Sequence, residues 1–331
     1  MTEPMTDAQN KRLNTPVLFL TFNRLDTTQQ VFEAIRRARP PRLYLASDGP
    51  RDSRPGEEEK VKSVREYVLG HIDWECEVKT LFREKNLGCK YAVSGAISWF
   101  FENEEMGIIL EDDVLPVPSF FPYCEELLER YRDDERIAHI SGFNPLTSFD
   151  ANGDSYFFSK FGPIWGWASW RRAWRQYDVE ISSWPQFRDY YLRFVTDTPK
   201  EESWRRSLFD QLYRKEIDTW DYQWSYARMI GDQLNATPTV NLIKNIGFGH
   251  ADSTHTHASI DERFLTVYDI KLTTHPRFIV RNKIYDQLYL DRFALQVSFL
   301  KRLPGALRRR LKKFRAFLTK PSTPTGGAAS S

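Results

Sequence analysis

Gly107-Ile108-Ile109-Leu110-Glu111-Asp112-Asp113-Val114-Leu115-Pro116 governs the reading of the whole chain. Four uncharged residues run straight into three carboxylates, and Val-Leu-Pro follows. An apolar run that ends this sharply has the pattern of a buried strand in a parallel sheet. The C-terminal end of such a strand is where an open α/β sheet binds ligands. Three acids packed there repel one another unless something positive sits among them. A divalent cation is the usual answer, because hard cations take carboxylate and phosphate oxygens together. A solvated acidic turn after a strand is the plainer alternative.

The residues upstream extend the pattern. Pro16 to Phe22 is a continuous apolar run, a first buried strand. Asp26 or Thr27 is placed to cap a helix through Val31, Phe32 and Ile35, which Pro40-Pro41 stops. Arg42 to Ala46 is a second strand ending in Ser47-Asp48-Gly49-Pro50, and a polar helix covers Glu57 to Leu69. Glu77 to Phe82 is a third strand, and Lys90 to Phe101 a helix that leads into the Ile108 strand. Strands and helices alternating at this spacing predict a mainly parallel sheet flanked by helices. Neither GxGxxG nor GxxxxGK[ST] occurs, so neither a dinucleotide fold nor a P-loop is supported.

Downstream of Pro118 the pattern changes. Phe120 to Arg132 reads as a helix and Ile137 to Phe143 as a strand. Phe157 to Trp174 is dense in aromatics and Gly, and Trp165-Gly166-Trp167 within it reads as a loop. Thr219 to Trp224 opens a helix, Thr239 to Ile243 is a strand, and Asn245 to His257 is a Gly- and His-rich loop. The domain plan is a disordered 1–14, halves 15–118 and 119–299 of one domain, a basic amphipathic helix 300–320, and a disordered tail 321–331.

Composition narrows the function. The net charge is +2, yet 300–320 alone carries nine Lys and Arg and no acid; taking those away leaves −7. An acidic body argues against a duplex-binding protein and against nucleic acid as partner. Three Cys with no CxxC argue for a reducing compartment and against structural zinc. The N-terminus has no apolar core of signal-peptide type and no run has the length of a membrane span, so the expected location is cytoplasmic. Leu303, Leu307, Leu311, Phe314 and Leu318 share one face of a helix with Arg308, Arg309, Lys312 and Lys313 around it. Such a helix suits the inner face of an anionic membrane, or docks on the body with a solvated basic face.

Taken together, strand–Asn23-Arg24, strand–Ser47-Asp48-Gly49 and strand–Glu111-Asp112-Asp113-Val114 resemble the GT-A nucleotide-sugar glycosyltransferases. The block LEDDVLPVPSFFPYCEELLERY strengthens the likeness, which covers Pro16 to Phe149 well and reaches more weakly to about His257. Within that fold the chain is most similar to N-acetylglucosaminyltransferase I and to bacterial HlpA-like, haemolysin-named proteins. The resemblance implies a GT-A fold with an aromatic-rich acceptor-side half, a UDP-sugar donor, Mn2+ or Mg2+, inversion at the anomeric carbon, and a glycan or lipid-linked acceptor in bacterial surface-glycan synthesis. It further implies that Asp113 holds the metal, that Glu111 and Asp112 contact ribose or sugar hydroxyls or metal waters, that Arg24 binds the nucleotide, and that Asp48 accepts the uracil N3–H. Lys90 stands where the family has a base-contacting His, a departure from the pattern. The 245–257 segment corresponds to a loop that closes over the donor, with Gly247 and Gly249 as hinges and His255 reaching the metal or diphosphate.

Bottom-up alternatives stand beside these roles. Asp48 before Gly-Pro is also a common Asx turn. Trp165 and Trp167 fit a sugar-stacking wall, although aromatics at this density usually mean core. Inverting transfer needs a base for the acceptor hydroxyl. Asp221, within Trp220-Asp221-Tyr222-Gln223-Trp224, is the candidate, with a first-turn helix partner as its plain reading and Asp218 as the alternative. The rival functions are a sugar-nucleotide nucleotidyltransferase, which lacks its Gly-rich loop here, and a non-enzymatic carbohydrate-binding or membrane-active protein.

Overall fold

The computed structural model describes residues 12–248 and 266–295. β1 (Val17–Thr21) is buried along its whole length, as its unbroken apolar run requires. α1 (Leu25–Ala38) follows at once. It buries Thr27, Thr28, Val31, Phe32 and Ile35, with Asp26 in its first turn and Arg36 and Arg37 in its last, where each sign complements the helix dipole. Arg39 closes it in the left-handed region (φ 51°), its N–H donating to the Ile35 carbonyl. β2 (Arg42–Ser47), α2 (Glu57–Gly70), β3 (Glu77–Phe82), α3 (Gly88–Asn103) and β4 (Met106–Glu111) repeat the unit. The chain is anchored earlier than expected. Leu13 is buried and its N–H reaches the Ala38 carbonyl at 3.1 Å, so the frayed segment does not extend to residue 14; residues 1–11 lie outside the described part.

The second half supplies β5 (Val114–Pro116), α4 (Phe120–Arg130), β6 (Ile137–Ser141), β7 (Tyr156–Ser159), β8 (Trp167–Trp170) and α5 (Arg171–Trp174). It continues through α6 (Trp184–Tyr190), α7 (Leu192–Val195), α8 (Pro199–Tyr213), α9 (Asp221–Ile230), β9 (Leu234–Pro238), β10 (Ile243–Asn245) and α10 (Lys283–Tyr289). The main sheet runs β3-β2-β1-β4-β8-β6-β9-β7, and β10 pairs with β5 in a separate ribbon. β3, β2, β1 and β4 are parallel. β8 lies antiparallel between β4 and β6, β9 is parallel to β6, and β7 is antiparallel to β9. The sheet is therefore mixed rather than mainly parallel, because the chain after β6 does not build βαβ units.

The stretch expected as a loop, Trp165-Gly166-Trp167, is instead the turn into β8. Gly166 has φ 59°, a conformation that favours glycine, and delivers Trp167 beside Ile109 of β4. The strand expected at 239–243 is displaced: β9 ends at Pro238 and β10 begins at Ile243. The core on one face of the sheet gathers Ile97, Phe100, Ile109, Trp167, Trp174, Trp220 and Trp224. A second cluster under α6 to α9 holds Trp184, Leu192, Phe209 and Tyr226. Each fully buried large side chain of this kind contributes about 1.5–3 kcal/mol.

The chain divides into two compact units, the first ending at Gln287 and the second beginning at Leu288. Of the second, the described residues are the end of α10 and a π-helical turn, Leu290–Ala294. The expected basic helix 300–320 and tail 321–331 lie outside the described residues. No helix among the described residues is long and apolar enough to cross a membrane.

Candidate functional site

The register of the parallel strands aligns their C-terminal ends. Thr21 stands beside Ser47, Ser47 beside Phe82, and Leu20 beside Glu111. The residues that follow, Asn23-Arg24, Asp48 and Asp112-Asp113, therefore leave the sheet along one edge. Strand order reverses at β1, with β2 on one side and β4 on the other. An open sheet splays its loops at such a reversal and forms its ligand crevice there. Arg24 and the acid trio sit on the two sides of that reversal.

The positive group demanded by the trio belongs in part to the chain itself. Arg24 Nη2 contacts Asp112 Oδ1, and Arg24 Nη1 lies 3.0 Å from Asp113 Oδ2. Burial opposes the guanidinium charge, but the two carboxylates outweigh it and hold Arg24 above its ordinary value. One arginine does not balance three acids. Burial, with Asp113 and Asp112 adding to it, pushes Glu111 up to about 8. Burial likewise lifts Asp112 to about 6 against the pull of Arg24. Glu111 Oε1 and Asp112 Oδ2 are buried with no hydrogen-bond partner. Buried oxygens of this kind are costly unless a donor or cation meets them.

Among the described residues, no three His, Cys, Asp or Glu side chains converge to hold a metal ion by themselves. An all-protein cage therefore does not fit. Magnesium and manganese sites built from one or two carboxylates plus phosphate and water oxygens do, and the unpartnered oxygens beside Asp113 are hard donors of the required type.

Gly247 closes the other side. β10 pairs with β5, setting Asn245 opposite Val114, and the Ile246 N–H donates to the Asp113 carbonyl at 2.8 Å. A Cβ on Gly247 would lie 2.2 Å from Asp113 Oδ2 and 2.8 Å from Arg24 Nη1. Only glycine lets the chain pass this close. Phe248 then meets Trp165 edge-on at 5.6 Å, and Trp165 packs on Phe143 at 4.4 Å. Trp165 keeps part of its surface in solvent. Gly249 and His255, also expected in the lid, lie outside the described residues.

Trp167 does not form a wall. It is 1% exposed, stacked on His139 at 5.0 Å with the rings 9° from parallel. Buried His139 accepts from Trp224 Nε1 at Nδ1, which leaves Nε2–H to donate to the Pro163 carbonyl. Burial holds this imidazole well below its ordinary value, so it is neutral core rather than acid or base.

Asp48 is also redirected. Its Oδ1 accepts from the Gly49 and Leu87 N–H groups at 2.9 and 3.0 Å, and its Oδ2 from Leu87 and Gly88 at 3.1 Å. A carboxylate offers about four lone-pair sites, and these three amides, Leu87 shared between both oxygens, take most of them. Asp48 instead supplies, from the end of β2, the cap that the start of α3 lacks. Burial raises its pKa and these amides oppose the rise. Lys90 is buried, and its Nζ donates to Glu180 Oε1 at 3.0 Å, where Tyr91 also donates at 2.8 Å. It anchors α3 to the second half.

Asp221 begins α9 and accepts from Thr219 Oγ1. It lies close enough to the trio for its charge to add to the rise of Glu111. Cys89, on the first turn of α3, marks the meeting point: burial raises its thiol, and Glu111, Asp221, Asp218 and Asp48 all add to the rise. Asp218 faces the start of the same helix, with Oδ2 3.3 Å from where a Cβ on Gly88 would sit. The structure thus gathers Arg24, Asp48, the trio, Asp218, Asp221 and Gly247 near the C-terminal ends of β1, β2 and β4. Sequence reasoning missed Cys89, Phe248 and Glu180, none of which carries a motif, and it read Gly247 as a hinge rather than as a close approach.

No protein-family model matches the chain, and no curated protein does. Among solved structures, the chain is similar to the mannosyltransferase PcManGT from Pyrobaculum calidifontis, in complex with GDP-Man and Mn2+. That likeness has 11% identity over 67% of this chain and 71% of that one, with a TM-score of 0.37. It is similar to the glycosyltransferase GlyE of Streptococcus pneumoniae TIGR4 at 9% identity, over 86% of this chain and 64% of that one, with a TM-score of 0.37. A UDP-glucose pyrophosphorylase complexed with UDP-glucose follows at 14% identity, over 44% and 62%, with a TM-score of 0.26. These likenesses are too remote to assign a family or an activity.

Proposed function

We propose that the chain is a metal-dependent glycosyltransferase that moves a sugar from a nucleotide-diphosphate donor to a saccharide or lipid-linked acceptor. The observation that carries this reading is the pair of buried, unpartnered oxygens, Glu111 Oε1 and Asp112 Oδ2, at the strand-order reversal beside Arg24. Asp113, with Asp112 beside it, would hold Mn2+ or Mg2+. Once bound, the cation offsets the charge that builds on the leaving diphosphate. Arg24 orients the two aspartates and Gly247 leaves room beside them. Residues 15–118 form the donor side and 119–299 the acceptor side, where Trp165 offers an aromatic face.

Asp221 is the proposed base. It takes the proton of the acceptor hydroxyl as that oxygen attacks the anomeric carbon and the nucleotide diphosphate departs, and Thr219 Oγ1 donates to it. The sequence resemblance adds inversion and a bacterial surface-glycan setting. The basic pattern of 303–318 supports work at the inner face of the cytoplasmic membrane.

Thermal shift with UDP- and GDP-sugars, with and without manganese, tests the reading, together with transfer assays on two variants. Both bases are included because Asp48, engaged by three amides, does not by itself select one. Nucleotide should stabilise the protein only when metal is present, and Asp113→Asn should abolish that effect while leaving the fold intact. Asp221→Asn should keep donor affinity within a few-fold and lower transfer by roughly 10²–10⁴. Nucleotide binding indifferent to metal would sink the proposal, and release of pyrophosphate rather than nucleoside diphosphate would turn it into a nucleotidyltransferase.

A further inference from the structure

Two exposed segments outside the crevice meet at one ion pair. α6 and α7 present Tyr190, Tyr191 and Phe194 to solvent, with Phe194 64% exposed. The chain before and into α10 presents Phe278, Val280 and Ile284, exposed by 66%, 69% and 72%. Asp197, just after α7, binds Arg281 Nη2 at 2.7 Å, and Phe194, Asp197 and Arg281 line one small pocket. Single exposed apolar side chains are ordinary, but a joined set of this kind marks an interaction surface.

Its charges say what it fits. Arg193 lies over both Tyr190 and Phe194, at 5.0 and 4.9 Å, and Arg277 lies over Phe278 at 5.3 Å. Lys283 is exposed beside Ile284. Residues 190–195 and 270–285 contain no acid. Of the acids nearby, Asp189 is paired with Arg188 and Asp197 with Lys160 and Arg281, Asp286 is buried, and Asp232 is exposed on the rim of the pocket. Aromatic and aliphatic side chains accompanied by Arg193, Arg277 and Lys283 match the interfacial zone of an anionic bilayer, where rings sit at headgroup level and Arg and Lys reach the phosphates.

We propose that the face made by 190–194 and 277–284 is a docking surface for anionic membranes. It lies among the described residues, outside the basic stretch 303–318 in sequence, and assumes nothing about the reaction.

Flotation of the full-length protein with phosphatidylcholine vesicles, with and without phosphatidylglycerol, tests it. Wild type should float with phosphatidylglycerol vesicles. Phe194→Ser/Phe278→Ser/Ile284→Ser should partition about tenfold less or weaker, with unchanged thermal unfolding because all three side chains face solvent. Hydrogen exchange on vesicles should show protection at 190–194 and 277–284 in wild type. The same protection should persist in Arg308→Gln/Arg309→Gln/Lys312→Gln/Lys313→Gln, and this footprint decides the matter if the triple variant folds poorly. The proposal is overturned if wild type does not float, or if a folded triple variant floats like wild type. It is equally overturned if those amides stay unprotected on the vesicle, or if they are protected in concentrated lipid-free protein, which would assign the face to a second copy of the chain.

Discussion

Replacing Arg24 by Gln should destabilise the protein in a way that grows with pH. The substitution removes the guanidinium that contacts Asp112 and Asp113. Breaking a buried ion pair from one side costs about 3–5 kcal/mol when the stranded charge has no other recourse. Here it has one, because Asp112 already sits near 6 and Glu111 near 8, so protons can replace the lost cation. Holding a carboxyl neutral costs about 1.4 kcal/mol per unit of pH above its pKa. At pH 7 this limits the added loss through Asp112 to about 1.4 kcal/mol, and the lost contact to Asp113 brings the expected total to about 2–4 kcal/mol.

The sign follows from linkage. Folded pKa values raised above the unfolded ones contribute stability that is full below the unfolded values near 4. That stability is lost as pH rises through about 6 and then about 8. Without Arg24 both values rise further, so the gap between wild type and variant should be about 1 kcal/mol or less at pH 5 and should widen toward pH 8. Urea unfolding of both proteins at pH 5, 6, 7 and 8, in chelator, measures this. Manganese should then recover more stability in the variant than in wild type. A pH-independent difference below about 0.5 kcal/mol would show that Arg24 does not neutralise the trio, and the electrostatic argument for the site would fail.

Gly247→Ala places a Cβ 2.2 Å from Asp113 Oδ2. It should cost about 1–3 kcal/mol as overpacking and weaken metal-dependent nucleotide binding; a variant with wild-type melting and binding would remove Gly247 from the site. Asp48→Ala strips acceptors from three backbone amides. It should lower stability by about 1–2 kcal/mol without distinguishing uridine from guanosine diphosphates, and a loss of uridine binding alone would restore its role at the base. Trp167→Ala should cost about 3–5 kcal/mol in chemical denaturation, whereas a soluble variant with unchanged stability and impaired sugar transfer would return Trp167 to the acceptor wall.

The first half of the fold was legible because each strand from Val17 to Glu111 is a dense apolar run or a β-branched alternation set between helices with their own start and stop residues. The alignment of Arg24, Asp48 and the acid trio followed from parallel pairing alone. β8 was not legible. It is four residues long, buried on both faces, and preceded by Gly162, Pro163 and Gly166, which read as loop chemistry. β9 hid for the opposite reason: Asn235 and Thr237 are polar yet fully buried. Asn235 is held there by Arg228 and by donating to the Ser159 carbonyl. No local pattern announces a polar residue whose partners lie far away in the chain. The same blindness hid the bonds that Asp48 accepts from Leu87 and Gly88, and the pairing of Lys90 with Glu180.

The placement of β8 also bears on how the protein is made. β4 is the inner neighbour of β1, and its other edge is completed only by β8. As the chain leaves the ribosome, the Ile108–Leu110 edge, fully apolar and flat in pattern, waits unpaired from Glu111 until Trp167 has emerged. Open edges of this type recruit other strands. Cutting the gene at residue 118, between donor and acceptor halves, would therefore yield two aggregating fragments rather than two domains. Chaperone dependence during synthesis should concentrate in the interval between these two strands.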